Sequence, residues 1–399
     1  MSLKELGFDE HTATDGGVAI LVGPNGAGKS FYMLSLAESY RTKRNITVVS
    51  NTAYGRLNSV RNVNRLTVGR NGPSPSKVIK NAISKTLDSE TSEFYQLSAI
   101  LDYCHYYPRF GFSLKGCNPS WPERFENLVG DPKRFLKSAQ EMKDYQIARN
   151  FIERWTPGKI LWIDQSSTAH EYSLSRDFAA LLRCEKLLKK FGLLDEVEVH
   201  LSKKDGGIFE ISGASSGELS LISSLIFISS TVPDNSIILI DEPENSLHPS
   251  WQREYVGKIF AALGYRKVSV IIATHSPLLV TGAVNERPDL VTVYEVSTKD
   301  NSPIEIDRID VESSGIEAIL WKVFEVVTPE SHFVSEEIID AINQYERDEI
   351  TKNQVTSLIQ KMRKRSFDDN QTKFFSALIE LVDKVEKRKI NQTGQKSEI

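Results

Sequence analysis

Short, almost unbroken apolar runs punctuate this chain at Val18–Val22, Ile46–Ser50, Ser236–Glu242, Val268–Ala273 and Leu290–Val296. Each is bounded by turn residues, the mark of strands buried on both faces. Helical spacing takes over in Phe31–Tyr40, Arg176–Phe191 and Leu221–Ile228, so strands and helices alternate and an α/β fold is predicted. Extended runs near Leu66–Val68 and over Ile304–Val311 add two candidate strands. Glu196–Leu201 and Gly207–Ile211 flank the polar turn Lys203-Lys204-Asp205-Gly206, which predicts a β-hairpin.

Two regions break the alternation. Gly69–Ser76, GRNGPSPS, is turn-rich and marks the edge of an insertion. From Lys77 to Trp155 the pattern is mostly helical and aromatic, with Tyr103, Tyr106, Tyr107, Phe110, Phe112 and Trp121 interleaved with Arg109, Lys115 and Arg124. That mixture suits either a base-stacking surface or the small core of a helical subdomain. It lacks sustained heptads, so a long coiled-coil arm is not predicted. From Ser314 onward the pattern is helical over Ile316–Val327, Ser335–Tyr345, Lys352–Arg365 and Lys373–Lys389. The basic groups Lys361–Arg365 and Lys387–Lys389 there are either phosphate contacts or solvated faces. The expected division is 1–76 and 196–313 as two parts of one head, 77–195 as a mostly helical insertion, and 314–399 as a helical C-terminal region.

Composition narrows the class. At 399 residues, 40% apolar and 26% charged, the chain is long enough for roughly two or three domains with a substantial core. A net charge of −4 gives no whole-molecule case for nucleic-acid binding and leaves local basic patches open. No apolar run approaches the ~20 residues that span a bilayer, and MSLKELGFDEHT lacks the apolar core of a signal peptide. A cytoplasmic protein without a membrane partner is expected. Cys104, Cys117 and Cys184 are scattered without C-x-x-C spacing, so neither a disulfide framework nor a zinc module is indicated.

The chemistry concentrates at strand ends. Between the strand Val18–Val22 and the helix from Phe31 lies GPNGAGKS. Its glycines let the backbone wrap an anion, with successive N–H groups and the helix dipole aimed at phosphate oxygens. Gly23, Pro24, Asn25, Gly26, Ala27, Gly28, Lys29 and Ser30 are therefore the candidate nucleotide cradle, with Lys29 on the β- and γ-phosphates and Ser30 on Mg²⁺. The strand Ser236–Glu242 ends in adjacent carboxylates, which suits Asp241 to the metal and Glu242 to the attacking water. Val268–Ala273 ends in Thr274-His275-Ser276-Pro277, placing His275 at the carboxyl edge where open α/β sheets bind ligands. Gly213–Ser220, GASSGELS, opens a helix, with Ser216 and Gly217 as a second anion-binding terminus. Lys159–Asp164, KILWID, imitates a nucleotide-site strand, but Gln165 follows where a catalytic carboxylate is wanted, so Asp164 is set aside.

GPNGAGKS, SSGE, LIDEPENSLHP and ATHSP stand in the order of an ABC-type ATPase head, and the likeness covers approximately residues 15–300. DEPENSLHPSWQ followed by THSPLLV resembles the branch of OLD-like, RecF-like and SMC-like ATPases. The resemblance implies a P-loop ABC-type head using ATP and Mg²⁺, with Lys29 and Ser30 holding phosphates and metal, Asp241 as the second-motif acid, Glu242 polarising water and His275 sensing the γ-phosphate. It also implies composite sites, in which Ser216 and Gly217 act on the nucleotide of a partner subunit and ATP drives self-association. The chain departs from the family pattern in its short SSGE signature, and in having no clear metal-contacting glutamine after Ile46–Ser50, where Asn51 stands nearest. Residues 314–399 offer helices without a Toprim or HNH pattern, so the chain resembles the stand-alone ATPase subunits of Septu-, retron- and PARIS-type antiphage systems, which work beside a separate nuclease or other effector. A RecF-like repair ATPase acting on DNA is the alternative.

Overall fold

The computed structural model describes residues 2–13, 16–51, 55–67, 73–88, 93–117, 136, 138–164, 169–190, 194–298, 304–311, 316–324, 332–364 and 374–386. A seven-stranded sheet organises the head. Its strands are β1 (Gly17–Val22), β2 (Ile46–Ser50), β3 (Asn64–Thr67), β8 (Ile237–Asp241), β9 (Ser269–Ala273), β10 (Val291–Ser297) and β11 (Glu305–Ile309), in the order β11-β10-β1-β9-β8-β2-β3. All neighbours are parallel except the antiparallel edge strand β11. Because side chains alternate across a strand, each apolar run feeds two cores at once. Val18, Ile20, Val22, Ile238 and Ile240 enter one cluster, and Ala19, Leu21, Ile237 and Leu239 the other.

Register decides where the chemistry lies. Leu21 pairs with Ala273, Ala273 with Asp241, and Asp241 with Ser50, so the carboxyl ends of β1, β9, β8 and β2 form one edge. Helices α1 (Lys29–Tyr40), α6 (Ser216–Thr231), α7 (Pro249–Leu263) and α8 (Pro277–Glu286) start at or near that edge. Helices α7 and α8 cross closely at small residues: a Cβ on Gly282 would sit 1.9 Å from the Arg253 carbonyl oxygen.

The insertion expected to be mostly helical carries α2 (Pro75–Asp88), α3 (Glu93–Tyr103), α4 (Ala139–Glu153) and α5 (Ala169–Lys190), but also β4 (Phe110–Lys115) and β5 (Leu161–Ile163). These pair with β6 (Glu196–Ser202) and β7 (Ile208–Glu210) in a four-stranded antiparallel sheet ordered β5-β4-β6-β7. The predicted hairpin is thus half of a sheet that crosses residue 195. An isolated hairpin is marginal in water, and Phe110 and Phe112 supply the buried face it needs. Phe112 packs against Phe178 with ring centroids 4.6 Å apart, so these aromatics are core. Tyr106 is buried as well, whereas Tyr103 and Tyr107 are exposed, the latter beneath the Arg109 guanidinium. Trp121 and Arg124 lie outside the described residues. Asp164 follows β5 in this second sheet, away from the strand ends of the first.

The C-terminal helices α9 (Ile316–Phe324), α10 (His332–Glu346), α11 (Lys352–Lys364) and α12 (374–386) enclose a cluster of their own around Trp321, Ile338, Ile359 and Phe375. Lys352 ties α11 to α12 through Asp383 at 2.7 Å. Lys361 stands over the Trp321 ring, while Lys387–Lys389 lie outside the described residues.

Candidate functional site

At the end of β1 the backbone turns through Gly23, Gly26 and Gly28 with φ of 142°, 85° and 101°, a left-handed series that β-carbons would strain. Gly23 is further constrained, since a Cβ there would lie 2.5 Å from the Val296 carbonyl oxygen. The turn aims the first amides of α1 into a cavity of about 230 Å³, which Asn25, Gly26, Gly28, Lys29 and Ser30 line. Pro24 contributes its carbonyl, and Ala27 is buried beneath the turn. The Lys29 ammonium folds back onto this loop, donating to the carbonyls of Gly23 at 2.8 Å and Pro24 at 3.2 Å. Burial lowers its pKa, against the attraction of Glu242, Asp241 and Glu244. It is the cation that an entering phosphate would recruit.

Across the cavity mouth stands the end of β8. Ser30 Oγ donates to Asp241 Oδ1 at 3.1 Å, joining the first helical turn to the neighbouring strand end. Burial is the main cause that pushes Asp241 up to about 6, and the Glu242 charge adds to it. Glu242 sits in the left-handed region at φ 48°, with its amide bound to the Ala273 carbonyl and a side-chain oxygen accepting from Asn245 Nδ2 at 3.0 Å. This backbone kink turns the carboxylate out of the strand, to 3.8 Å from His275 Nε2. Burial first, then the Lys29 charge, lowers the His275 pKa, so the ring is neutral at physiological pH.

Side chains not singled out in the sequence complete the site. Glu244 Oε1 accepts the His275 backbone N–H at 2.6 Å and thereby fixes the loop after β9. Burial raises its pKa. The carboxylate two residues beyond Glu242 was the available signal. Arg56 and Phe31 also line the cavity, with the guanidinium 6.0 Å from the ring centroid. No motif marks Arg56, which lies in a 3₁₀ turn well after the phosphate loop. Asn51, which the sequence did put forward as nearest the metal-contacting position, bridges two elements: Nδ2 donates to the Pro243 carbonyl at 3.1 Å, and Oδ1 accepts from Ser220 Oγ at 3.3 Å.

Ser216 and Gly217 open α6 and are not among the residues lining the Lys29 cavity. The cap is Ser215, one residue earlier, in a capping box with Glu218. Ser216 is exposed and Gly217 buried, because its Cα packs against the loop after β8, where a Cβ would approach the Ser246 carbonyl oxygen to 2.1 Å.

Oxygen ligands paired at 3.1 Å, a glycine nest and a buried lysine suit a magnesium nucleotide. Residues 122–281 match the family described as "AAA domain, putative AbiEii toxin, Type IV TA system". This match and the parallel α/β sheet make the chain similar to P-loop ATPase domains. The chain is 25% identical over 251 residues to the "Retron Vc95 probable ATPase" of Vibrio cholerae serotype O1 biovar El Tor, across 57% of this chain and 47% of the relative. The matched stretch is therefore about half of that curated relative's length. Among solved structures it is similar to an Smc head bound to the C-winged helix domain of ScpA, at 15% identity, TM-score 0.28, over 74% of this chain and 91% of that one. A second is an Smc head with an extended coiled coil bound to the C-terminal domain of ScpA derived from Pyrococcus furiosus, at 11% identity, TM-score 0.30, over 74% and 90%.

Proposed function

We propose that this ATPase binds and hydrolyses ATP with Mg²⁺ at composite sites between subunits, and that it regulates a separate nuclease or other effector in antiphage defence. The observation that carries the catalytic part is the contact between Ser30 and Asp241 at the mouth of the glycine cradle, with Glu242 and His275 beside it. Bound Mg²⁺ and ATP supply charge neutralisation and the electrophilic phosphorus. Ser30 and Asp241 would hold the metal, Asp241 as its carboxylate. Lys29 leaves the Gly23 and Pro24 carbonyls for the phosphate oxygens. Glu242 orients the attacking water and accepts its proton. Neutral His275 donates from Nε2 to the γ-phosphate, and Ser216 and Gly217 reach the nucleotide of the partner subunit.

Lys29→Ala is expected to abolish ATP binding in equilibrium titration, and undiminished affinity would refute the phosphate-loop assignment. The likeness to a retron ATPase supports the defence role. Native mass spectrometry after expression from the protein's own operon should show a complex with a neighbouring effector. The RecF-like alternative expects salt-dependent DNA binding by the isolated protein, through released counterions. No described helix is long and apolar enough to cross a membrane, in keeping with a cytoplasmic site of action.

A further inference from the structure

The signature helix α6 is held from outside. Glu218, the acidic arm of its capping box, accepts the Ser215 backbone N–H on Oε2 at 3.0 Å, while its Oε1 lies 2.9 Å from Lys203 Nζ. One carboxylate therefore closes the helix cap and grips the turn between β6 and β7. Lys203 is anchored in its own right. It pairs with Tyr106 in an antiparallel bridge, its amide closes the turn on the Gly207 carbonyl at 3.2 Å, and its ammonium stands 5.8 Å and 5.5 Å from the ring centroids of Tyr106 and Phe209. Burial tends to raise the Glu218 pKa, but the hydrogen bonds from Lys203 and Ser215 prevail and hold it down to about 2, so its carboxylate stays ionised throughout the working range.

The helix start thus rests on two supports. Gly217 packs onto the loop after β8 at the Ser246 carbonyl, and Glu218 is tied to the four-stranded sheet. Ser216, just before both, is exposed. We infer that Lys203 is a positioning residue for ATP hydrolysis, setting through Glu218 the pose in which the start of α6 meets the partner subunit's nucleotide. The inference rests on the composite-site reading. It makes the antiparallel sheet, half of whose strands come from the insertion, a lever on turnover, since a shift of the β6–β7 turn moves the cap directly.

The test uses the full chain. Lys203→Met keeps the aliphatic stem against Tyr106 and Phe209 and removes the charge. Its turnover at saturating ATP should fall about tenfold, the scale of a weakened helix cap, with ATP affinity unchanged within about twofold. Lys203→Arg should restore most of the rate. Mixing Lys203→Met with Lys29→Ala should give more activity than either alone, because the first offers an intact phosphate loop and the second an intact signature segment. Full turnover in Lys203→Met, or an equal defect in Lys203→Arg, would overturn the role of Lys203 and leave the composite site standing. A slow Lys203→Met that gains nothing on mixing would instead sink the composite-site reading.

Discussion

At the scale of single residues, the site is a matter of what burial does to charge. Lys29 is buried with only backbone carbonyls as hydrogen-bond acceptors, an arrangement that stores an unspent cation beside three carboxylates. On the proposed mechanism Glu242→Gln removes the base that takes a proton from water, and it should lower turnover by about 10²- to 10⁴-fold while leaving ATP bound. A phosphate-release assay with a parallel binding titration separates the two effects. The cysteines are governed by the same physics. Burial pushes the Cys104 and Cys184 thiols up to about 12 and Cys117 to about 11, so the thiolate that reacts is scarce near neutral pH. An Ellman's titration of the native protein should find these three thiols nearly inert and reach them on denaturation. The glycines, lysine and serine of the phosphate loop were legible because their chemistry is local. Arg56 and Phe31 were not, since only the fold brings the 3₁₀ turn after β2 to the mouth of the cradle.

Among the elements, legibility followed burial pattern. Strands β1, β2, β8 and β9 are buried along their whole length and read directly as apolar runs. β4 was hidden because FGFSLK carries two glycine-spaced aromatics inside a stretch of helical pattern, and its partners β5 and β6 stand far along the chain. The start of α6 shows how tightly the elements are fitted. Gly217→Ala places a methyl against the Ser246 carbonyl and should cost about 1–3 kcal/mol in denaturant unfolding. The cap also has a pH signature. The Glu218 pKa is held at about 2 in the folded chain against an ordinary 4.5, so its contribution is complete above pH 4.5 and is lost as the pH falls toward 2. The stability advantage of the native chain over Glu218→Gln should therefore narrow through that window, as thermal melts at stepped pH would record.

For the whole molecule, the unequal distribution of site residues is the central fact. Lys29, Ser30, Glu242 and His275 line one cavity and Asp241 bonds Ser30 beside it, whereas Ser216 and Gly217 do not line it. On the proposed reading these are two half-sites of one chain, and a second copy would bring each half to the other. The motifs name both stretches but not how they are placed, which depends on the strand order β1-β9-β8-β2 and the path of α6. The most direct test is the mass of Glu242→Gln by light scattering after size exclusion, with and without Mg²⁺ and ATP. A shift from one subunit to two with nucleotide is predicted, lost when Lys29→Ala is added. An unchanged mass, with ATP demonstrably bound, would contradict the composite site.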